Sequence, residues 1–377
     1  MNVLIVTVLA SHSPSGVVTY YNTLAQDLRN QGVQVSIVDA SDTPFLWRKV
    51  LAVLFRIMPL FGNAGRALYY EFAQFTGMYM AIRSKKIDKP DLIHAQDAKS
   101  GAAAHLALRE KVPVVMTCHF NDDPASEIIQ KYKLKTGLAA RFVKWYTYLF
   151  SHIKSYVFVS NYAYSKSKHL LPADANRIIL YNTVSIKAVP SAKDLSTANK
   201  LIISNVGYID ERKNQKLLIQ IGDELRKRGI SDFVIWLIGD GPKRAEYEQL
   251  VEKLDLSKQV KFYGQQQTPW QLVAQTDLYV HTALNDNCPY SIIEAFAVKT
   301  PVLALPVGGI PEMLPDHFGL LQGTDVKALA DEIATYFSPE KRTQLVNAQS
   351  AYAGNNFDHY KTLAKLISFY NQTGQAA

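Results

Sequence analysis

Short runs of Val, Ile and Leu that alternate with longer amphipathic segments constrain the fold of this 377-residue chain more than any other feature. The runs at 2–9, 33–38 and 91–95 lack the polar–apolar alternation of a half-exposed strand, so they predict strands that are buried on both faces. Helical periodicity at 17–31 and 99–110 lies between such runs. The pattern predicts an α/β protein with a doubly wound parallel sheet.

A polar segment rich in Ser, Ala and Pro divides the chain. We predict an N-terminal Rossmann-like domain at 1–185, a linker at 186–200 and a C-terminal Rossmann-like domain at 201–355. The helical pattern in 356–377 is a candidate for packing back on the first domain. Ligands bind beyond the carboxyl ends of the strands in such sheets, so we expect the site in a central cleft that the two domains face. Strands of the second domain are predicted at 201–206, 233–238, 259–263, 277–281, 301–305 and 318–321.

The composition restricts the class of partner. The two cysteines, Cys118 and Cys288, are too few for a disulfide framework and fit a reducing compartment. The N-terminal run is short and lacks a basic start, so it predicts a buried strand rather than a signal peptide, and no apolar run is long enough to span a bilayer. A formal net charge of +8 favours an anionic partner, and without a recognised nucleic-acid motif we expect no nucleic acid.

The run from Asn285 to Phe296 carries two carboxylates, Asp286 and Glu294. Pro289 suits the first turn of a helix, which would place Asp286 in the loop before the helix and Glu294 more than one turn inside it. A helix start with free backbone N–H groups can hold a diphosphate, and the carboxylates can accept hydrogen bonds from sugar hydroxyls. We expect the free N–H groups near Tyr290, Ser291 and Ile292.

Further short motifs follow in a fixed order. They are Asn205-Val206-Gly207, Arg212-Lys213-Asn214, Ile238 to Pro242, Val260 to Gly264, Asp277 to His281, Asp286 to Ala295 and Thr300 to Glu312. Looser matches in the first half are Gly16-Val17-Val18, His119, Ser160 and Tyr181 to Val184. Through these motifs nearly the whole chain resembles the retaining GT-B glycosyltransferases of family 4, also called group 1.

The resemblance implies roles for five catalytic candidates. Glu294 is similar to the family's ribose-binding glutamate, and Asp286 stands where the family usually has a glutamate that holds the donor hexose. Arg212 and Lys213 resemble the cationic pair that offsets charge on the leaving diphosphate. His119 resembles the histidine beside the donor sugar. The implied donor-binding residues are Gly16, Gly207, Arg212, Lys213, Tyr263, Gly264, Asp286, Tyr290, Ser291, Ile292 and Glu294.

Two positions depart from the family pattern. Tyr208 occupies the place after Gly207 where the family often has an arginine, so either Arg212 substitutes for that residue or one phosphate contact is missing. The shorter arm of Asp286 draws the hexose closer or needs a water, which puts the usual donor preference in question. Gly308-Gly309 is either a tight turn or a backbone approach to the sugar phosphate.

Two stretches of the first domain combine basic and aromatic residues, at 45–61 and from Lys131 to Lys154. This combination suits a helix that lies at a lipid interface, where each Lys or Arg near an anionic leaflet contributes on the order of 1 kcal/mol. The alternative is a buried amphipathic helix with a solvated face. We expect an anionic membrane surface as a partner, and a cytoplasmic protein peripheral on the inner face of the cytoplasmic membrane.

The resemblance implies a hexosyltransferase that uses a nucleotide diphosphate sugar, UDP- or GDP-linked. It implies that the N-terminal domain binds the acceptor and that the C-terminal domain binds the nucleotide sugar. The implied acceptor is a hydroxyl of a glycan or lipid-linked molecule in polysaccharide or glycolipid assembly. It implies retention at the anomeric carbon. We expect no cofactor and no metal, because no Asp-x-Asp motif is positioned as a donor site. No covalent nucleophile is evident, which favours a front-face route in which the leaving phosphate helps to deprotonate the acceptor.

Other functions stay open at this point. A nucleotide-sugar epimerase can share the two-domain architecture, and Tyr208 and Asp286 are compatible with a non-catalytic nucleotide-sugar binder. A dinucleotide-binding oxidoreductase is disfavoured, because the first loop, Ala10 to Gly16, lacks the Gly-x-Gly-x-x-Gly spacing that a pyrophosphate turn requires.

Overall fold

The computed structural model describes residues 1–11, 13, 15–186, 200–314 and 318–375. The predicted linker therefore lies, apart from its two end residues, outside the described residues. The chain divides into two compact units. We call Met1–Tyr181 together with Tyr360–Ala377 the N-terminal unit and Asn182–His359 the C-terminal unit.

The N-terminal unit is built on a six-stranded parallel sheet with the strand order β2-β1-β3-β4-β5-β6. Its strands are β1 (Asn2–Val6), β2 (Gln34–Val38), β3 (Leu92–Ala95), β4 (Val114–Cys118), β5 (Ser155–Phe158) and β6 (Asn176–Ile179). The central strand β1 is buried on both faces. Leu4 and Val6 belong to one core cluster, whereas Val3 and Ile5 belong to another, which is why this run shows no polar–apolar alternation.

Eight helices accompany this sheet within the described residues. They are α1 (Gly16–Asn30), α2 (Phe45–Ile57), α3 (Gly62–Ser84), α4 (Ala98–Ala107), α5 (Pro124–Lys131), α6 (Thr136–Ser151), α7 (Asn161–Ser167) and the C-terminal α14 (His359–Gln375). Residues of α14 pack into the cluster that contains Val3 and Ile5, through Leu363, Leu366, Phe369 and Tyr370. Short 3-10 helices lie at Ala40–Asp42, Met58–Phe61 and Lys168–Leu170.

The two basic aromatic stretches differ in burial. No residue of α2 is buried, and Leu46 is 75% exposed. In α6, by contrast, Tyr146 is buried, and both Trp145 Nε1–H and the Tyr146 hydroxyl donate to the carboxylate of Glu71, at 3.1 and 3.3 Å. Trp145 and Tyr146 of α6 therefore bond a buried carboxylate, whereas Tyr148 is 44% exposed, and an interfacial role of α6 stays a prediction.

The C-terminal unit is built on a five-stranded parallel sheet with the order β11-β10-β7-β8-β9. Its strands are β7 (Leu201–Val206), β8 (Phe233–Ile238), β9 (Val260–Gly264), β10 (Leu278–His281) and β11 (Val302–Ala304). The predicted strand at 318–321 is wrong. Leu320 makes only an isolated bridge to Ala304, and the left-handed φ of +97° at Gly319 interrupts extended backbone there.

Six helices accompany this sheet within the described residues. They are α8 (Gln215–Lys227), α9 (Arg244–Lys253), α10 (Pro269–Val273), α11 (Tyr290–Ala297), α12 (Val326–Ala334) and α13 (Pro339–Asn356), with 3-10 helices at Ile310–Glu312 and Thr335–Phe337. None of the helices in the described part of the chain combines the length and apolarity needed to cross a bilayer.

Candidate functional site

The strand order of the C-terminal sheet brings the ends of β7 and β10 together. Chain connections leave β7 toward β8 on one side, whereas β10 lies on its other side. Such a reversal of strand order creates a crevice at the carboxyl edge of the sheet, where ligands bind in open α/β sheets. The loops that follow these strands are 207–214 and 282–289. The sequence-predicted Gly207, Arg212, Lys213 and Asp286 all lie on them.

The backbones of the two loops are hydrogen-bonded to each other. The Leu284 N–H donates to the Arg212 carbonyl at 2.8 Å, and the Thr282 hydroxyl donates to the Lys213 carbonyl at 3.0 Å. Within the first loop, the Lys213 N–H donates to the Asp210 carboxylate at 2.7 Å. A Cβ at Gly207 would lie 3.4 Å from the Lys213 side chain. This distance is an ordinary van der Waals contact, so Gly207 packs directly against the stem of Lys213.

Asp286 is the centre of an ionic cluster at the ends of β7 and β10. Its Oδ2 accepts hydrogen bonds from Lys213 Nζ and, at 3.1 Å, from His281 Nε2, and Arg212 Nη1 lies 3.9 Å from its Oδ1. Burial by itself would raise the pKa of this carboxyl, but the charge of Lys213 and the contact with His281 outweigh burial and hold the pKa well below its usual range. Asp286 is consequently ionised in the folded protein.

His281 ends the motif from Asp277 to His281, but it is not among the site residues predicted from the sequence. It is 1% exposed, and burial lowers its pKa, so the ring is neutral. Its Nδ1 lies 3.2 Å from the hydroxyl of Tyr279, which also hydrogen-bonds to Ser291. A neutral ring that donates from Nε2 to Asp286 must accept at Nδ1, so Tyr279 is the donor of that bond. Polar residues at the end of an otherwise apolar strand were the available signal.

The helix after the second loop begins at Tyr290, directly after Pro289. Pro289 is the N-cap of α11 rather than a residue of its first turn. The Ile292 N–H already donates to the Pro289 carbonyl at 3.2 Å, so the expectation that this group is free is wrong. The Asn182 side-chain amide donates to the Cys288 carbonyl at 2.7 Å and fixes the approach to the helix. The sequence-predicted Tyr290 and Ser291 form the first two positions of α11.

Glu294 differs from Asp286 in having no counter-ion. Its carboxylate makes no hydrogen bond or ion pair within the part of the chain that the structure describes. Burial raises the pKa of Glu294 to about 7. A partly buried carboxyl without a partner is unfavourable for the folded state, and groups perturbed in this way concentrate at functional sites.

Gly308 and Gly309 pack against the loop that carries Asp286. A Cβ on Gly308, whose φ is +57°, would collide with the Asp286 carbonyl, and one on Gly309 would collide with the carbonyl of Asn287. The Gly309 N–H donates to the Asp286 carbonyl at 3.1 Å. The glycine pair is thus explained by a close backbone approach that supports the Asp286 loop.

Two other predicted positions lie apart from the ionic cluster. Tyr263 and Gly264 end β9, which is separated from β7 by β8, and the Tyr263 ring packs against Trp236 with centroids 4.8 Å apart. Tyr208 is 52% exposed, while its carbonyl accepts a hydrogen bond from Gln215 Nε2 at 3.1 Å.

The N-terminal unit presents neutral polar groups at the ends of its strands. His119 directly follows β4, its Nε2 lies 3.1 Å from Gln96 Oε1, and its ring meets that of Tyr20 edge-on at 4.7 Å. Burial lowers the pKa of His119 to about 3, so the ring is uncharged at neutral pH. The predicted Gly16 is the first residue of α1, whose N-cap is Ser15.

A chain of buried hydrogen bonds continues from this region to the C-terminal helix. The Tyr20 hydroxyl lies 3.1 Å from Thr117 Oγ1, which lies 2.7 Å from Nε2 of His94. His94 Nδ1 lies 2.6 Å from the hydroxyl of Tyr370 in α14. Burial, followed by the repulsion that protonated His119 would exert, lowers the pKa of His94 to about 3. Among the described residues, no three His, Cys, Asp or Glu side chains gather in a way that could hold a metal ion.

Two family models match this chain, and together they span most of it. The model described as "Glycosyltransferase Family 4" matches residues 14–186, and the model described as "Glycosyl transferases group 1" matches residues 190–352. The second match contains the ionic cluster, Glu294 and the glycine pair.

Individual relatives agree with these models. The D-inositol 3-phosphate glycosyltransferase of Corynebacterium efficiens is 24% identical over 96% of this chain and 91% of its own length. The GPI3 subunit of phosphatidylinositol N-acetylglucosaminyltransferase from Saccharomyces cerevisiae is 28% identical over 34% of this chain, which spans only 28% of that protein. The crystal structure of Anabaena HepE in complex with UDP and glucose superposes with a TM-score of 0.72 at 19% identity, and covers 99% of this chain and 100% of HepE. The two parallel-sheet α/β units of this chain, together with this superposition, identify the fold as GT-B.

Proposed function

Because the chain belongs to the family 4, or group 1, glycosyltransferases, we propose that it transfers a hexose from a nucleoside diphosphate sugar to a hydroxyl group of a glycan or lipid-linked acceptor. The observation that carries the proposal is the pairing of Lys213 with Asp286 at the switch point of the C-terminal sheet. Arg212 adds a second cation beside this pair, and the Glu294 carboxylate supplies a hydrogen-bond acceptor that has no partner among the described residues. These groups match a diphosphate flanked by sugar hydroxyls.

The chemical roles follow from charge and hydrogen-bonding capacity. Lys213 and Arg212 would bind the diphosphate and stabilise the negative charge that grows on it as the bond to the anomeric carbon breaks. Asp286 would accept hydrogen bonds from hexose hydroxyls through Oδ1, while His281 continues to donate to Oδ2. Glu294 would accept from the ribose hydroxyls. Lys213 and Arg212 would thus stabilise the leaving diphosphate without a cofactor.

We further propose retention through a front-face route. The bond between the anomeric carbon and the diphosphate oxygen breaks, and the bond to the acceptor oxygen forms on the same face of the sugar. The acceptor hydroxyl proton moves to the leaving diphosphate, so charge and atoms balance without a covalent enzyme intermediate. His119, held neutral by burial, would hydrogen-bond a hexose hydroxyl rather than act as a cation.

The names and bound ligands of the relatives indicate which donors and acceptors should be tested first. HepE was crystallised with UDP and glucose, which makes UDP-glucose the first donor and GDP-linked sugars the comparison. The Corynebacterium relative is named for D-inositol 3-phosphate and the yeast relative for phosphatidylinositol. A phosphate-bearing polyol, free or attached to a lipid, is therefore the first acceptor class to test.

The test compares Lys213→Met with the matched control Lys216→Met, which removes an exposed lysine from α8. UDP- and GDP-linked sugars should raise the melting temperature of the wild-type protein, since a ligand that binds the folded state stabilises it. Transfer should fall by about 100- to 1,000-fold in Lys213→Met and remain normal in Lys216→Met. NMR of the product gives the anomeric configuration.

Three outcomes would contradict the proposal. Interconversion of donor sugars without an acceptor would identify an epimerase. Donor binding without hydrolysis or transfer across the acceptor panel would identify a non-catalytic binder. Equal turnover in Lys213→Met and Lys216→Met would remove the ionic cluster from the reaction.

We also propose that the N-terminal unit binds an anionic membrane surface through α2 and the adjoining 3-10 helix. Eleven of the eighteen exposed large apolar side chains among the described residues lie between Phe45 and Phe72. This segment contains four basic residues, and no acidic residue occurs between Asp42 and Glu71. Apolar side chains and cations on one exposed helix are typical of interfacial binding.

Liposome flotation tests the surface. The double variant Leu46→Ser/Leu60→Ser removes two apolar groups that are 75% and 81% exposed, and it should abolish flotation with anionic vesicles at low salt. The double variant Val143→Ser/Tyr148→Ser changes exposed positions of α6 and should float like the wild type. Equal flotation of both variants, or none for the wild type, would refute membrane binding by α2.

A further inference from the structure

A pocket of about 480 Å³ lies between α2 and α3 in the N-terminal unit. Thr43, Gly77 and Met78 form its buried side, and Arg48 and Phe55 are exposed where it opens to solvent. This volume lies within the range of about 300 to 1,000 Å³ that is usual for small-molecule sites. None of the residues assigned to the donor site lines it.

The packing of α2 leaves this pocket open. Ten of its 13 residues are apolar, yet none of them is buried. A helix on a protein surface normally buries its apolar stripe against the core. Here Leu51, Ala52 and Phe55 line the pocket instead of filling it. Water in contact with this surface is unfavourable, so an apolar occupant would stabilise the arrangement.

Polar groups at the pocket indicate the chemistry of the rest of the ligand. Arg48 lines the pocket, while the nearest acidic residues in the sequence, Asp42 and Glu71, are absent from its lining. The Gln74 Oε1 is buried at the pocket and has no hydrogen-bond partner within the described residues. Unsatisfied buried polar atoms are rare in folded proteins. A ligand that carries an anionic group and a hydroxyl beside its apolar part would satisfy both side chains.

We propose that this pocket binds the hydrocarbon chain of an anionic, lipid-linked acceptor, with Arg48 at the phosphate next to the chain. Val8, which also lines the pocket, lies two residues beyond the carboxyl end of β1. Ligands of doubly wound sheets bind at that edge, so a chain anchored here brings its head group to the edge where an acceptor is expected. The identification of this lipid as the acceptor rests on the proposed function, whereas the binding of a hydrocarbon chain in the pocket does not.

Isothermal titration calorimetry of the 377-residue chain with hexyl, octyl and decyl phosphate, each at concentrations where it is monomeric, tests the proposal. The affinity should rise by up to about fourfold for each added methylene until the pocket is full. No donor, acceptor or turnover enters the measurement. A failure of the transferase proposal therefore leaves this result intact, and a failure here leaves donor binding intact.

Variants locate the binding site. Ala73→Phe places a ring in the pocket from α3 and should weaken decyl phosphate binding by about tenfold or more. Ala140→Phe, the same change at an exposed position of α6, should leave binding within about twofold of the wild type. Thermal melts followed by circular dichroism confirm that both variants fold.

A second pair of variants separates the head group from the chain. Arg48→Gln should weaken decyl phosphate by about fivefold and leave uncharged decyl maltoside unchanged. Lys49→Gln, which removes the neighbouring exposed cation outside the pocket lining, should change neither.

Three results would overturn the proposal. One is an affinity that does not depend on chain length. Another is equal binding by Ala73→Phe and Ala140→Phe. The third is a larger loss of affinity for decyl phosphate in Leu46→Ser/Leu60→Ser than in Ala73→Phe. That result would place the hydrocarbon chain on the exposed face of α2 and not in the pocket.

Discussion

The two units present different chemistry at the carboxyl edges of similar parallel sheets. The C-terminal unit gathers charges there, with Lys213 and Arg212 around an ionised Asp286 and an unpaired Glu294 nearby. In the N-terminal unit, the corresponding edge carries the neutral ring of His119, and His94, also neutral, is buried within β3. Cations suit a diphosphate whose charge grows during the reaction, whereas uncharged groups suit the recognition of hydroxyls.

The same difference predicts opposite responses to pH. The pKa of Glu294 is raised to about 7, so its unfavourable charge appears as the pH rises. The pKa values of His94 and His119 are lowered to about 3, so protonation of the unfolded chain weakens the N-terminal unit as the pH falls. Hydrogen exchange, resolved by peptide and corrected for intrinsic rates, measures each unit separately. This resolution is needed because a two-unit chain need not unfold in two states.

The largest effect is expected for Lys213→Met. The variant leaves Asp286 as a largely buried charge that only His281 and a more distant Arg212 compensate, so the C-terminal unit should lose about 3 to 4 kcal/mol of stability. Hydrogen exchange, measured as a function of denaturant concentration, gives the loss of stability. Adding Asp286→Asn should recover most of the stability without recovering activity. A double variant as unstable as Lys213→Met would show that the charge of Asp286 is not the cause.

Glu294→Gln should stabilise the C-terminal unit while it reduces transfer. The folded pKa of about 7 exceeds the ordinary value of 4.5, so the cost of the charge is absent below pH 4.5, grows between pH 4.5 and 7, and is complete above. We expect a gain of about 2 kcal/mol at pH 8, which vanishes below pH 5. Exchange rates of C-terminal peptides at the two pH values measure it. A loss of stability at pH 8 would identify Glu294 as a structural residue.

His94→Gln should reduce the acid sensitivity of the N-terminal unit. Its pKa falls from 6.5 in the unfolded chain to about 3 in the fold, so stability is complete above pH 6.5 and is lost as the pH falls below it. Each such histidine contributes about 1.4 kcal/mol per pH unit below about pH 6. The variant should therefore halve the slope that His94 and His119 produce together. Exchange of N-terminal peptides between pH 5.5 and 7 checks this, and an unchanged slope would contradict it.

The smallest effect is expected for Tyr370→Phe. The change removes the hydroxyl that bonds His94 at 2.6 Å and leaves one buried ring nitrogen unsatisfied, at a cost of about 1 kcal/mol to the N-terminal unit. Tyr360→Phe, at a position in the same helix that is 71% exposed, is the matched control. The loss should be equal at pH 7 and pH 8.5, where both histidines stay neutral. If Tyr370→Phe also lowered the stability of the C-terminal unit, the two units would not be independent in stability.

Much of the fold was predictable because burial leaves a direct imprint on sequence. Strands β1 and β10 are apolar at nearly every position since helices cover both faces of each sheet. The failure at 318–321 has a local cause, because a left-handed glycine interrupts the backbone there. In α6 the pattern of basic and aromatic residues predicts a helix, which the structure confirms, but the pattern does not reveal the contacts of the individual aromatic rings. Only the tertiary structure shows that Trp145 and Tyr146 donate hydrogen bonds to the buried carboxylate of Glu71.

The order of the motifs along the chain determined the family, the parallel α/β architecture and the residues to examine, because chemistry at strand ends requires particular residue types at particular distances from buried runs. Tertiary structure decided how those residues are used. The pairing of β7 with β10 joins two loops that are about seventy residues apart in sequence, and with it Lys213, Asp286 and the overlooked His281 become one hydrogen-bonded group. Whether a carboxylate is neutralised, as in Asp286, or left alone, as in Glu294, depends on neighbours that only folding supplies.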